Sequence, residues 1–490
     1  MSKKRQKLRF NGGSVPNRSL DMGAERTINF YPVLGAADRN GLPDVYLYPT
    51  EGLTLFSTGL GEAVRGTHVI NDIIYFVVAN KAYKLTTAGT ITELGTINTS
   101  AGTVHFADIF DQILLVDGLD GWLFTISANT FTQVVDADFP SNCESICGLA
   151  GYFIAVFPDS QDYAVSNLSD GMTWTALFVG SAQFASDNLV AVRSFQDQLW
   201  LFGTTTIEQH VNTGNLDFPF EPRLGASILY GVVSEDTIAM TGAADAKTPA
   251  MVWLGTSQRG GVVPVALDSY NTVTQIFNPG VIEEINTFDV VSDAYGFIYQ
   301  KDDHLFYVLT FPTADKTYVY DFSTGLTHER ESYDTSEQQY HHWVPRYHAV
   351  MENINYVVDF HTGVVYTLDG ENYTENGVRI RRKRRITIFK DNMSYKSVND
   401  LWIIFNLGSA LIQGQGSEPE AMLRLSHDGG RNFDTELTAP VGVVGQYYDT
   451  ARFSMLGTAR KWCAELSVTD PIRWVVLESF AEISDEEAVD

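Results

Sequence analysis

The side chains able to do chemistry in this 490-residue chain are loosely spaced. His341, His342 and His348 form the one histidine cluster. A zinc centre needs further ligands placed by the fold, and this spacing matches no finger or zincin pattern. The three therefore read as surface or interface histidines. Cys143, Cys147 and Cys463 are odd in number, and one CxxxC pair is not a zinc motif, so they read as buried thiols under reducing conditions. Glycoside hydrolysis needs two carboxylates at a fixed separation, and 60 acidic residues offer too many pairs to select one. No P-loop, no GxGxxG after a strand and no GxSxG elbow occurs. Ser426-His427-Asp428-Gly429-Gly430-Arg431-Asn432-Phe433 fits the Asp-box pattern, a turn whose Ser and Asp side chains bond local backbone. Nothing here argues for an enzyme, a cofactor or a metal.

Charge is more informative. The formal net charge is −27. DNA readers neutralise phosphates with clustered Lys and Arg, so this balance weighs against a sequence reader. Simple solubility is the plain reading of this charge, and it does not exclude a conduit, whose acidic wall would let DNA slide without adhering. The densest basic run is Arg379 to Arg385, in VRIRRKRRITIF. Solvated strand charge, contact with an acidic partner or neighbouring subunit, and contact with a DNA backbone all fit it. Lys3, Lys4, Arg5, Lys7 and Arg9 precede the loop-like Asn11-Gly12-Gly13-Ser14. Residues 1–20 read as a flexible tail, or as a strap that orders on a neighbouring subunit. No apolar h-region follows, so this is not a secretory signal. No run reaches the roughly 18 apolar residues of a membrane span.

The elements that would position these groups are strands. From Gly66 a unit of roughly 40 residues recurs: a short strand, a polar turn, an apolar strand, a Tyr- or Phe-bearing strand, a turn and a last strand. GTHVI…NDIIYFVVA…KAYKLTT…TITELGTI is the first copy, and YHAVMEN…NINYVVD…VVYTLDG is the last. No helical period of any length intervenes. Such sheets bury both faces only when stacked radially and closed. The expected fold is all-β: a β-propeller of seven blades, or six if two adjacent copies form one irregular sheet. The last copy lacks a fourth strand, and Leu53–Phe56 could supply it and close the ring. Residues 1–44 are then an N-terminal arm and 45–370 the propeller. Residues 371–490 form a β-sandwich-like domain with an acidic, frayed tail. In the fourth copy the outer strand is replaced by a polar, Gly/Pro-rich loop, Asn212–Gly225. Asn212, Leu216, Phe218, Phe220 and Arg223 of that loop are candidate interface residues, with Arg381, Arg382, Arg384 and Arg385 of the basic run.

The pieces WLFGTTTIE, SILYG and SEDTIAM resemble a segment of the packaged-DNA stabilisation proteins of short-tailed phages, also called tail hub or nozzle proteins. YLYPTEGLTLF with VRGTHV, and MLRLSHDGGRNF up to the region of Trp474, resemble the same family in the same order. The resemblance implies a structural virion protein of the tail, assembled in the host cytoplasm. It implies a ring, usually a hexamer, below the portal and its adaptor. That ring extends the DNA channel, retains packaged DNA and docks tail fibres or spikes and a needle or plug. It carries over no catalytic residue. On this reading the loop Asn212–Gly225 is an inter-subunit or plug contact. The alternatives are a glycan-binding or depolymerising tail adhesin and a monomeric cytoplasmic scaffold.

Overall fold

The computed structural model describes residues 4–16, 24–37, 43–215, 217–241, 251–257, 260–268, 272–390, 394–407, 415–442 and 449–485. Among them strands dominate, and the one α-helix is the short Pro279–Ile285.

Seven small antiparallel sheets follow one another along the chain. Blades 1 to 4 span 64–96, 105–133, 146–181 and 189–222, and blades 5 and 6 span 230–275 and 295–334. In blade 5 the innermost strand is split into Tyr230–Val232 and Ala239–Met240, both paired with Met251–Ser257. Blade 7 takes three strands from 345–369 and its fourth from Gly52–Ser57, antiparallel to Val365–Asp369 with Leu53 opposite Leu368. The innermost strands neighbour one another around the axis, and Pro345–Met351 lies beside Val64–Ile70. The fold is thus a seven-bladed propeller closed by the strand expected at Leu53–Phe56.

The second strand of each blade is nearly all apolar, as in Ile73–Val78 and Tyr152–Val156, because neighbouring blades cover both of its faces. The two-residue turns before these strands need left-handed backbone. Asn71-Asp72, Gln196-Asp197 and Glu352-Asn353 supply it, with φ between 48° and 62°. Innermost strands carry glycine where blades meet. A Cβ on Gly148 would stand 2.1 Å from the Asp108 carbonyl oxygen of blade 2, and one on Gly66 would stand 1.9 Å from the Val104 carbonyl oxygen. Gly148→Val is expected to force blades 2 and 3 apart at a cost of about 1–3 kcal/mol. Thermal unfolding measures it, and an unchanged midpoint would refute the close-approach argument.

Beyond the propeller lies a two-sheet sandwich. One sheet runs Phe30–Ala37, Pro43–Pro49, Val475–Asp485, Lys396–Asn406, Asp449–Ala459, with Lys4–Lys7 also paired to Val475–Asp485. The other runs Arg26–Ile28, Arg382–Lys390, Lys461–Val468, Glu420–Ser426, Leu437–Pro440. This second sheet does not stop at the sandwich. Arg26–Ile28 also pairs in parallel with Leu326–Asp334, the outer strand of blade 6, so one ten-stranded sheet spans both bodies. The sandwich core holds Trp462, Trp474, Phe405 and Leu423.

Here the structure differs from the arm expected over residues 1–44. Residues 4–16 and 24–37 are ordered on the chain's own sandwich, not on a neighbour. Leu8, Phe10 and Phe30 are buried in its core. Asn11 donates to the carbonyls of Val45, Val476 and Leu477. Burial of three large apolar side chains and paired backbone offset the ordering entropy.

Candidate functional site

The propeller axis carries an ionic cluster assembled from five blades. His105 lies on the innermost strand of blade 2, Ser145 just before that of blade 3, Arg193 on that of blade 4 and Arg346 on that of blade 7. Glu235 and Asp236 sit in a single 3-10 turn between the two halves of the split strand of blade 5. His105 Nδ1 is 2.8 Å from Glu235 Oε1 and its Nε2 is 3.2 Å from Asp236 Oδ1. Both contacts fall off the N–H line, so they act as ion pairs by proximity and not as aligned hydrogen bonds. Arg193 donates to Glu235. Ser145 Oγ donates to the same oxygen at 2.9 Å, and Arg346 Nη2 donates to Asp236 at 3.3 Å. Burial drives the His105 pKa down, but the charges of Glu235 and Asp236 and the Glu235 contact outweigh it, and the net shift is upward. Burial drives Glu235 up, and His105 and Arg193 outweigh it, holding the carboxyl below its ordinary value.

His105, Glu235, Asp236 and Arg346 line two axial cavities, of 460 and 450 Å³. The cluster therefore forms part of the wall of both. Sequence reasoning missed it, because its members are far apart in the chain. One signal was available: a cation recurs on innermost strands, as Arg65, His105, Arg193 and Arg346.

A second buried cluster joins blades 6 and 7 to the sandwich. Arg330 donates to Glu51 Oε2 at 3.4 Å, to the Glu51 carbonyl at 3.0 Å and to Tyr299 Oη at 3.2 Å. Its guanidinium stacks 3.5 Å from the centre of the Trp343 ring. Trp343 Nε1 donates to Glu375 at 3.1 Å, and burial raises that carboxyl to about 7 against the pull of Arg330. Arg382 donates to the Thr50 and Ile380 carbonyls, and burial lowers its pKa to about 9.

The basic run alternates between two environments. Arg382 and Arg384 point inward and are fully buried. Arg384 donates to the carbonyls of Phe10 at 2.6 Å and Gly13 at 2.9 Å, to Thr27 Oγ1 at 2.7 Å and to Glu25 at 3.2 Å. The expectation that these two residues face a partner, DNA or solvent is therefore corrected: their partners are residues of the same chain, all but Ile380 brought from more than 300 positions away. Arg381 is half-buried, donates to Glu331 at 2.9 Å and stacks on Tyr340. Arg385 donates to Glu465 and lies 4.8 Å from the centre of the Phe433 ring.

The loop after blade 4's third strand also departs from expectation. It is not wholly irregular: Phe220–Pro222 returns as a short outer strand, with Asn212 opposite Phe220. Phe220 is buried, and half-buried Phe218 packs beside it and Tyr163. Asn212 is exposed, Arg223 donates to Gln198 and Gln209, and Leu224 is 96% exposed. Leu216 lies outside the described residues. Beneath the loop, Tyr163, His210 and Glu208 form a chain of contacts at 2.9 Å each. All three are buried, so this relay ties blades 3 and 4 together.

The histidine cluster is split. His341 and His342 share Asp315 at 3.1 Å, whereas His348 stacks on Phe297 and pairs with Asn355. Among the described residues no group of three His, Cys, Asp or Glu side chains is placed to hold a metal. The three cysteines are buried, and burial pushes the thiols of Cys143 and Cys463 up to about 12. In the Asp box, Asp428 accepts from the amides of Arg431 and Asn432 and from Ser426 Oγ.

Comparison with known proteins adds the following. A family model described as bacteriophage P22 Gp10, beta-propeller, matches residues 10–373. No curated protein sequence matches the chain. Among solved structures, the computationally designed Ika8 protein matches with a TM-score of 0.40 at 9% identity, over 64% of this chain and 99% of that one. The Neurospora crassa Pan2 WD40 domain matches with a TM-score of 0.43 at 8% identity, over 65% and 96%. The N-terminal domain of Nup159 matches with a TM-score of 0.37 at 10% identity, over 70% and 98%.

Proposed function

The chain belongs to the phage-stabilisation family described as bacteriophage P22 Gp10, beta-propeller, and from that premise we propose that it is a tail hub or nozzle subunit. Members of this family are structural phage proteins and not enzymes. Six copies form a ring below the portal and adaptor, extend the DNA channel, retain packaged DNA and dock fibres or spikes and a needle. The family match over 10–373 carries this reading.

Two further features support it. On this reading the conduit is the lumen between copies and not the hole of one propeller, whose innermost strands are joined by the buried His105–Glu235–Arg193 cluster. The acidic surface repels phosphates, so DNA passes by steric guidance without adhesion. Exposed Asn212, Arg223 and Leu224 make the outer loop of blade 4 a contact to a neighbouring subunit or plug.

Light scattering of the purified chain, alone and with the portal–adaptor complex, tests this. The expected result is a ring-sized mass that forms on the adaptor. A chain that stays monomeric and ignores the adaptor would overturn the hub and favour carbohydrate binding. Deleting 213–219 and still obtaining normal rings would remove the loop contact alone.

A further inference from the structure

One hairpin turn of the propeller departs from its counterparts. Where the innermost strand of a blade turns into the second, blade 1 has Asn71-Asp72, blade 4 Gln196-Asp197, blade 6 Asp302-Asp303 and blade 7 Glu352-Asn353. The first residue of each is left-handed, and polar side chains suit such a tip, which faces water. Blade 2 has Phe110-Asp111 there, between the paired Ile109 and Gln112. Phe110 has φ of 47° and is 76% exposed. A bulky residue held in left-handed backbone with its ring in water is costly unless something uses it.

A second exposed apolar side chain stands beside it. The equivalent turn of blade 3 is the small Ala150-Gly151, and a Cβ on Gly151 would meet the Phe110 ring at 3.0 Å and Leu168 Cδ1 at 3.1 Å. Leu168 sits in the outer turn of blade 3, after Asn167 and before Asp170, and is 59% exposed. Phe110 and Leu168 thus converge on Gly151 and form one apolar knob at the end of blades 2 and 3. The field around the knob has one sign. Residues 85–192, which contain both blades whole, hold twelve carboxylates and no Lys or Arg. Asp111 and Asp170, next to the knob, bond to Ser127, Met172 and Thr173, none of them a cation. The basic residues that bound this stretch are engaged elsewhere. Lys84 of blade 1 reaches Asn129 at 3.2 Å, and Arg193 of blade 4 is held by Glu235.

We propose that Phe110 and Leu168 dock a different protein chain of the virion, one that offers an apolar hollow rimmed by Lys and Arg. Burying the two side chains supplies attraction, and the rim pairs with the carboxylates of blades 2 and 3. A second copy of this chain does not fit. Its residues 50–370 hold 38 acidic and 11 basic residues, and its residues 1–49 and 371–490 hold 22 of each, so neither part brings an excess of cations. DNA does not fit either, because its phosphates would meet carboxylates. The inference rests on the virion reading above and not on the ring.

Phage particles that carry the photo-cross-linker p-benzoylphenylalanine in place of Phe110, irradiated and read by mass spectrometry, test it. The expected adduct joins position 110 to a different virion chain, at an apolar segment with Lys or Arg beside it. An adduct to a second copy of this chain, or to a segment without cations, overturns the proposal. Particles that contain the chain but yield no adduct overturn the docking surface and leave the virion reading standing. Wild-type particles that lack the chain overturn both. Phe110→Asn, which installs the residue type that blade 1 uses, is the second measurement. Its thermal midpoint is expected to match or exceed that of wild type, while the cross-linked chain falls about tenfold or more in purified particles. A lower midpoint would give the ring a structural role and overturn the argument, as would a stable variant whose particles keep that chain at the wild-type level. Raising salt from roughly 0.05 to 0.5 M should release the same chain from wild-type particles, and retention that does not fall with salt overturns the charge pairing.

Discussion

Glu235→Ala is expected to lower the stability of the propeller by about 3–5 kcal/mol, the cost of leaving buried cations without their anion. Glu235 is 7% exposed and holds both Arg193 and His105. Its removal also frees the Ser145 hydroxyl at the start of blade 3. Glu235→Gln keeps the hydrogen-bonding shape without the charge and should cost less. The pH dependence separates the two effects. The native pKa of His105 is raised, so its contribution is complete below about 6.5 and is lost as the pH climbs through the native value. The native pKa of Glu235 is lowered, so its contribution is complete above about 4.3 and is lost as the pH falls through the native value. The cluster therefore stabilises most between those limits. Wild-type thermal midpoints should hold level across that range and decline on the alkaline side as His105 loses its proton, and Glu235→Gln should flatten that decline. Parallel profiles for the two proteins would show that the cluster is electrostatically idle.

Arg384→Ala should cost a similar amount, about 3–5 kcal/mol, but at a different place. Its guanidinium satisfies two carbonyls, a hydroxyl and a carboxylate of the N-terminal segment. Without it Phe10 and Gly13 leave buried oxygens unpaired. The segment from Lys4 to Ile28 should then detach before the propeller opens. Hydrogen exchange at Lys4–Lys7 and at Arg26–Ile28 reads this directly, with the amides of blades 1 to 4 as internal reference. Arg384→Lys should rescue little, because an ammonium cannot reach four acceptors in a fork. Unchanged protection of both strands in Arg384→Ala would refute the staple.

How much of this was legible in the chain depends on where each partner lies. The blades were, because a second strand such as Ile73–Val78, covered on both faces, must be apolar throughout, and each turn must bend in two residues. The closing strand was, because the last copy visibly lacked one. The burial of Arg382 and Arg384 was not. Alternation marks which residues share a face, but a face of cations reads as solvent-facing unless its acceptors are known. Most of those acceptors are backbone carbonyls, of residues 10, 13, 50 and 380, and carbonyls leave no trace in residue type. The axial cluster was hidden for a similar reason, since five blades each contribute one or two groups. The axial carboxylates lie within SEDTIAM, which carried the family resemblance.

The pairing of Gly52–Ser57 with Val365–Asp369, and of Lys4–Lys7 with Val475–Asp485, sets the order in which a nascent chain can mature. At about 5–20 residues per second, the first strands leave the ribosome well before their partners are made. Blades 1 to 6 can form hairpin by hairpin during that interval, but the ring stays open and Leu53 and Phe56 stay uncovered. Closure waits for blade 7, and the sandwich waits for the last strand of all. A polypeptide cut short anywhere before residue 475 would lack the strand that Lys4–Lys7 and Pro43–Pro49 pair with. It would keep an open seam that proteases and chaperones can find.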